Sequence, residues 1–94
     1  MRRRAARADA NQAEIVEGLR RLGYSVLDAS AVGGGFPDLV VGKNGVTFLL
    51  EIKTAKGKLN PLQLKWHANW RGRVAVARSL EDAIYQLRYA DNED

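Results

Sequence analysis

The apolar positions of this chain change period several times, and each change marks an element. Ile15, Leu19 and Leu22 recur at helical spacing with Val16 beside them, which predicts a helix from Asn11 to Leu22. Asn11 is placed as its N-cap, Glu14 sits three residues on as in a capping box, and Gly23 is placed to end it. Tyr24 to Ala29 reads as a strand, and Ser30 to Phe36, with Gly33, Gly34 and Gly35 in a row, as a loop. Pro37 to Val41 is a second strand, opened by a proline at the one strand position that tolerates it. Asn44-Gly45 then stands between two apolar runs, the strongest short-range hairpin signal, and Val46 to Thr54 is the returning strand. After a basic loop, Asn60 as N-cap, Pro61 at N1 and Gln63 at N3 predict a second helix, lined on one face by Leu62, Trp66 and Trp70 and stopped by Gly72. Val74 to Ala77 is a fourth strand. Ser79 caps a last helix whose face is Leu80, Ala83, Ile84 and Leu87. The predicted order is α-β-β-β-α-β-α, without repeats or an internal linker.

The hairpin has a chemical consequence. With a two-residue turn at Asn44-Gly45, Lys43 pairs with Val46 and each paired set of residue numbers has the same sum, so Asp38 faces Glu51. Directly opposed side chains share a face, with Cβ atoms about 4.5–5.5 Å apart. Lys53 lies two residues beyond Glu51 and so on the same face. Two facing carboxylates repel, and a divalent cation resolves the conflict: hard cations such as Mg²⁺ take oxygen ligands and retain waters. Each fragment also has an ordinary reading, since Asp after Pro is a common turn residue and Glu-x-Lys a common solvated strand face.

Composition narrows the field. Ninety-four residues allow one domain, 1–94, with a basic and potentially disordered arm at 1–9 and an acidic tail at 90–94. A chain of this size buries only about 60–65% of its unfolded surface. The absence of cysteine excludes disulfides, thiolate metal sites and Cys nucleophiles, and the single histidine excludes multi-His zinc sites. No apolar run approaches the ~20 residues of a membrane span, and MRRRAARADA has no apolar core of a secretory signal, so a soluble, intracellular protein is expected. The net charge of +4 suits a polyanionic partner, with Lys53, Lys56, Lys58 and Lys65 crowding the middle of the chain. The triple glycine lacks the spacing of a dinucleotide loop. It is read either as backbone freedom beside the acids, leaving room for a nucleic-acid strand, or as an ordinary connection. His67 is expected toward solvent, and Trp66 and Trp70 as core or dimer contacts.

Phe36-Pro37-Asp38, twelve intervening residues, then Glu51-Ile52-Lys53 resembles the PD-(D/E)xK nuclease motif. The glycine loop before it, and Leu59-Asn60-Pro61-Leu62-Gln63 after the basic loop, are similar to the VRR-NUC branch, which includes short standalone phage and bacterial proteins. The resemblance spans residues 10 to 88, nearly the whole chain. It implies an α/β, restriction-endonuclease-like core of αβββαβ order with a C-terminal helix: a small mixed four-stranded sheet flanked by helices. It implies Asp38 and Glu51 as metal-binding acids, the Ile52 backbone carbonyl as a further ligand, Lys53 as the catalytic lysine, Gln63 as a supporting residue, and Glu14 as an acid completing the metal site in many members. Lys56, Lys58, Lys65, Arg78, Gly34 and Gly35 are the expected nucleic-acid contacts, although the stretch ending at Arg78 does not spell Val-Arg-Arg. Glu14 and Gln63 each keep a competing role in a capping box. The implied function is a Mg²⁺-dependent DNA endonuclease, with Mn²⁺ able to substitute and no organic cofactor, selective for branched DNA and acting as a homodimer. The alternatives are a nucleic-acid-binding module that retains the fold without catalysis, and a subunit of a larger complex.

Overall fold

In the computed structural model, residues 3–91 are described, with the backbone alone for 3–9 and 89–91. The elements follow the predicted order: α1 (Arg3–Arg21), β1 (Ser25–Asp28), β2 (Leu39–Lys43), β3 (Val46–Ile52), α2 (Pro61–Asn69), β4 (Val74–Ala77) and α3 (Leu80–Asp91). The strands form one sheet in the order β1-β2-β3-β4, with β1, β2 and β3 antiparallel and β4 parallel to β3. The parallel pair is connected through α2, as such a pair requires.

The register of the hairpin is the predicted one, with Lys43 opposite Val46 and Leu39 opposite Leu50. Asn44 and Gly45 take φ of 53° and 79°, the two positive values of a type I′ turn. Alternation along the strands then decides what is buried. Leu39, Val41, Phe48, Leu50, Ile52 and Ala77 project to one face and pack against Ile15 and Leu19 of α1 and Ala83 and Leu87 of α3. Ser79 caps α3 as expected, its hydroxyl accepting the Asp82 amide at 3.0 Å.

Two helices depart from expectation. α1 begins at Arg3 rather than at Asn11. The residues ahead of Asn11 are mostly Ala and Arg, strong helix formers, and one Asn is too weak a stop to break such a run. Asn11 is therefore no N-cap and Glu14 no capping-box partner. Within the basic segment 1–9 the backbone is helical from Arg3, while residues 1 and 2 lie outside the described residues, as do 92–94 of the acidic tail. α2 is the second departure: it buries no residue, and Leu62, Leu64 and Trp70 stay exposed. Its apolar side chains are spread around nine residues instead of forming a stripe, so the expected core face is not built. Trp66 is half-buried, stacked on Trp70 at 4.8 Å and edge-on to Phe36 at 5.2 Å. Among the described residues no helix is long and apolar enough to cross a membrane.

Candidate active site

The end of the β2–β3 hairpin carries the acids. The ladder stops at Leu39–Leu50, and the Asp38 side chain continues it by accepting the Ile52 amide through Oδ2 at 2.9 Å. This bond holds the Asp38 carboxylate beside β3. Glu51, next on β3, is 2% exposed and close enough to Asp38 to share a hydrogen bond. Its Oε2 accepts from Gln63 Nε2 at 3.0 Å and lies 3.9 Å from Lys53 Nζ. Its Oε1 is buried without a partner among the described residues. Asp38 just before β2, Glu51 at the end of β3, Lys53 just after it and Gln63 on α2 therefore converge.

Gln63 bonds in two directions, because an amide has two ends. Its Oε1 accepts the Asn60 amide at 2.9 Å while Asn60 Oδ1 accepts the Gln63 amide at 2.8 Å, completing the capping box. Its Nε2 is left free to hold Glu51.

Burial, and after it the Asp38 hydrogen bond and charge, push the Glu51 carboxyl up to about 8, with Lys53 opposing. The group is thus protonated near neutral pH in the absence of a cation. His67 is not turned to solvent. Its Nε2 is buried without a partner among the described residues, and burial followed by the Lys53 charge holds the imidazole below its usual range.

A cleft of about 1160 Å³ opens over the cluster, between α1 and the sheet end. Gln12, Ala13, Val16, Glu17 and Arg20 form its α1 wall, and Asp28 and Ser30 line it from the far end of β1. Positions 12, 13, 16, 17 and 20 are one helical face, whereas Glu14 is exposed and off it. The α1 acid at the cleft is Glu17, 3.2 Å from Arg21. The four-residue spacing of Gln12, Val16 and Arg20 is the sequence signal for this wall. Among the described residues no group of three or more Asp, Glu, His or Cys side chains converges, so the candidate metal site is a carboxylate pair.

The basic contacts divide. Lys56 and Lys58 are exposed on the loop after β3, and Lys65 on α2. Arg78 is committed elsewhere, its Nη1 donating to the carbonyls of Thr54 at 2.7 Å and Gly57 at 2.6 Å. The glycine loop packs on α2 through Gly35, where φ is +88° and a Cβ would stand 2.7 Å from the Leu62 carbonyl oxygen. Gly34 also has positive φ, +66°, but faces open space. Gly35→Ala is therefore expected to cost more than Gly34→Ala. Both pay about 1–2 kcal/mol for the left-handed backbone, and Gly35→Ala about 1–3 kcal/mol more for the clash with a backbone atom. Urea denaturation of the two variants checks the order.

A mixed four-stranded sheet flanked by helices, with the PD…ExK pattern on one hairpin, defines a restriction-endonuclease-like fold of the PD-(D/E)xK nuclease class. A solved structure described as "VRR_NUC domain" is similar with a TM-score of 0.69 and 27% identity, over 93% of this chain and 97% of that one. The family model for the archaeal Holliday junction resolvase (Hjc) matches residues 3–81, and the chain belongs to that family. No curated protein matches it.

Proposed function

We propose that this protein is a Mg²⁺-dependent endonuclease that cuts branched DNA, four-way junctions above all, as a homodimer. The observation that carries the reading is the buried Glu51 carboxylate. One of its oxygens is held by Gln63, and the other is buried without a partner among the described residues. An unsatisfied buried oxygen is costly, and a cation in that place would satisfy it. Asp38, Glu51 and the Ile52 carbonyl are all hard oxygen donors, and Mg²⁺ is commonly bound by one or two carboxylates plus substrate phosphate, so the residues fit the ion. Bound there, Mg²⁺ would supply Lewis-acid stabilisation of the scissile phosphate.

The chain's own groups do the rest. Lys53, half-buried beside Glu51, places its ammonium where charge grows on the phosphate oxygens as water attacks and the 3′ oxygen leaves. Gln63 fixes the Glu51 rotamer, and Asp38 is fixed by the Ile52 amide, so both acids are oriented in advance. Lys56, Lys58 and Lys65 supply sequence-independent phosphate contacts. The family name supports the junction as substrate. The exposed Leu62, Leu64 and Trp70 on α2, with the small core of a short chain, support a second copy covering that side.

The test uses metal-free protein with Mg²⁺ or Mn²⁺ against a four-way junction, a flap, linear duplex and single-stranded DNA, with light scattering of the same sample. The expected result is paired cuts in the junction, none in EDTA, and a mass twice the 10.4 kDa of the chain. A mobility shift that never leads to cutting overturns catalysis in favour of a binding module, and neither binding nor cutting points to a subunit role. A monomer mass overturns symmetric resolution.

A further inference from the structure

Residues outside the motif hold the backbone on which Lys53 stands. Lys53 donates its amide to the Ala77 carbonyl at 3.0 Å, and its own carbonyl accepts from Asn11 Nδ2 at 3.1 Å. The same Asn11 Nδ2 reaches the Arg78 carbonyl at 3.4 Å. Arg78 in turn folds its guanidinium over the loop that follows Lys53. Nη1 donates to the carbonyls of Thr54 at 2.7 Å and Gly57 at 2.6 Å, with Ala55 at 3.4 Å. The loop closes on itself through Gly57 N–H to Thr54 O at 3.1 Å, and a Cβ at Gly57 would stand 3.4 Å from the Lys53 Cβ. The clamp is anchored on the core side. The Arg78 amide donates to Asp82 Oδ2 at 2.9 Å, and Asp82 directly precedes buried Ala83.

We infer that Asn11 and Arg78 are positioning residues: together they tie α1, β4 and the 54–57 loop into one clamp that sets the direction of the Lys53 side chain. This rests on the reading of Lys53 as the catalytic lysine. The physical case is the number of carbonyls served. A loop between a strand and a helix leaves its carbonyls to water unless a donor gathers them, and gathering them removes the loop's freedom. One guanidinium nitrogen gathers them here, and Asn11 holds the residue from which the loop departs. Arg78 is expected on nucleic acid, yet its Nη1 is turned to the protein. An arginine whose Nη1 serves these backbone carbonyls holds in place the loop that leaves Lys53.

The test separates positioning from phosphate binding. In Asn11→Ala and Arg78→Ala, kcat on a cleavable DNA falls about ten- to a hundredfold, the scale of a misplaced catalytic group. KM, and DNA affinity in EDTA, stay near wild type, as expected when an interaction matters only in the transition state. Arg78→Lys recovers most of the loss, because an ammonium also has three donors. Amide exchange at Gly57 speeds up in both alanine variants ahead of global unfolding. Should Arg78→Ala fail to fold, Asn11→Ala and Arg78→Lys carry the test. Unchanged kcat in folded variants overturns the clamp. So does weaker DNA binding with a salt slope reduced by about 0.9, which would make Arg78 a direct phosphate contact. A wild-type protein that cuts nothing sinks the nuclease reading alone, and the Gly57 exchange rates then judge the clamp: unchanged rates overturn it, faster ones support it.

Discussion

Asp38→Asn is expected to abolish cleavage while leaving the fold and DNA binding intact, and Lys53→Ala to lower kcat by about two to three orders of magnitude. The amide is the informative replacement at position 38. Its oxygen can still accept the Ile52 N–H, so the end of the hairpin survives and only the charge is lost. Losing that charge removes a hard ligand and also a repulsion toward phosphate, so affinity for DNA in EDTA stays level or rises. Lys53 differs, because its ammonium lies beside Glu51 and its deletion leaves both carboxylates in place. Calorimetric Mg²⁺ binding retained in Lys53→Ala but lost in Asp38→Asn is the expected pattern. Wild-type cleavage by Asp38→Asn would remove the metal assignment.

Glu51→Gln is expected to stabilise the metal-free protein, increasingly so as pH rises. The Glu51 carboxyl is raised from 4.5 to about 8 in the folded protein, chiefly by burial. Between those values the unfolded chain releases a proton that the folded chain keeps. Folding stability therefore falls as pH climbs from the unfolded value to the folded one, and is greatest below the unfolded value. At about 1.4 kcal/mol per pH unit, the loss amounts to a few kcal/mol, a large share of the roughly 5–15 kcal/mol that holds a small domain together. Glutamine cannot ionise, can accept from Gln63 through its oxygen and donate toward Asp38 through its nitrogen, and so mimics the protonated acid. Urea denaturation in EDTA between pH 5 and about 8.5 should show the wild type weakening relative to the variant. Parallel curves would show that Glu51 is ionised in the fold without cost.

These outcomes share a cause. Burial of Glu51 and its proximity to Asp38 both oppose ionisation, and Lys53 only partly offsets them. On the proposed function, Mg²⁺ bound at the two acids would offset that cost.

The site's central geometry was determined by the sequence because it is local. Asn44-Gly45 favours a type I′ turn, the turn fixes the register as far as Leu39 and Leu50, and that register leaves Asp38 and Glu51 at the same end of the hairpin, all within a short stretch of chain. The capping box at Asn60, Pro61 and Gln63 is equally local, and it aims the far end of Gln63 at the acids. Only the tertiary structure decided the rest. Asn11 reads as a helix start, yet an alanine- and arginine-rich run carries α1 past it, and its amide is used by carbonyls that belong to residues 53 and 78. Glu14 and Glu17 are equivalent acids on paper. Which one meets the cleft depends on how α1 rotates to bury Ile15 and Leu19. Arg78 and His67 read as groups turned to solvent, yet Nη1 of one is taken up by carbonyls of the loop after β3 and Nε2 of the other is buried. Short-range steric and hydrogen-bond rules fix turns, caps and register from a few adjacent residues, whereas the rotation of a helix and the partner of a long side chain depend on packing between segments far apart in the chain.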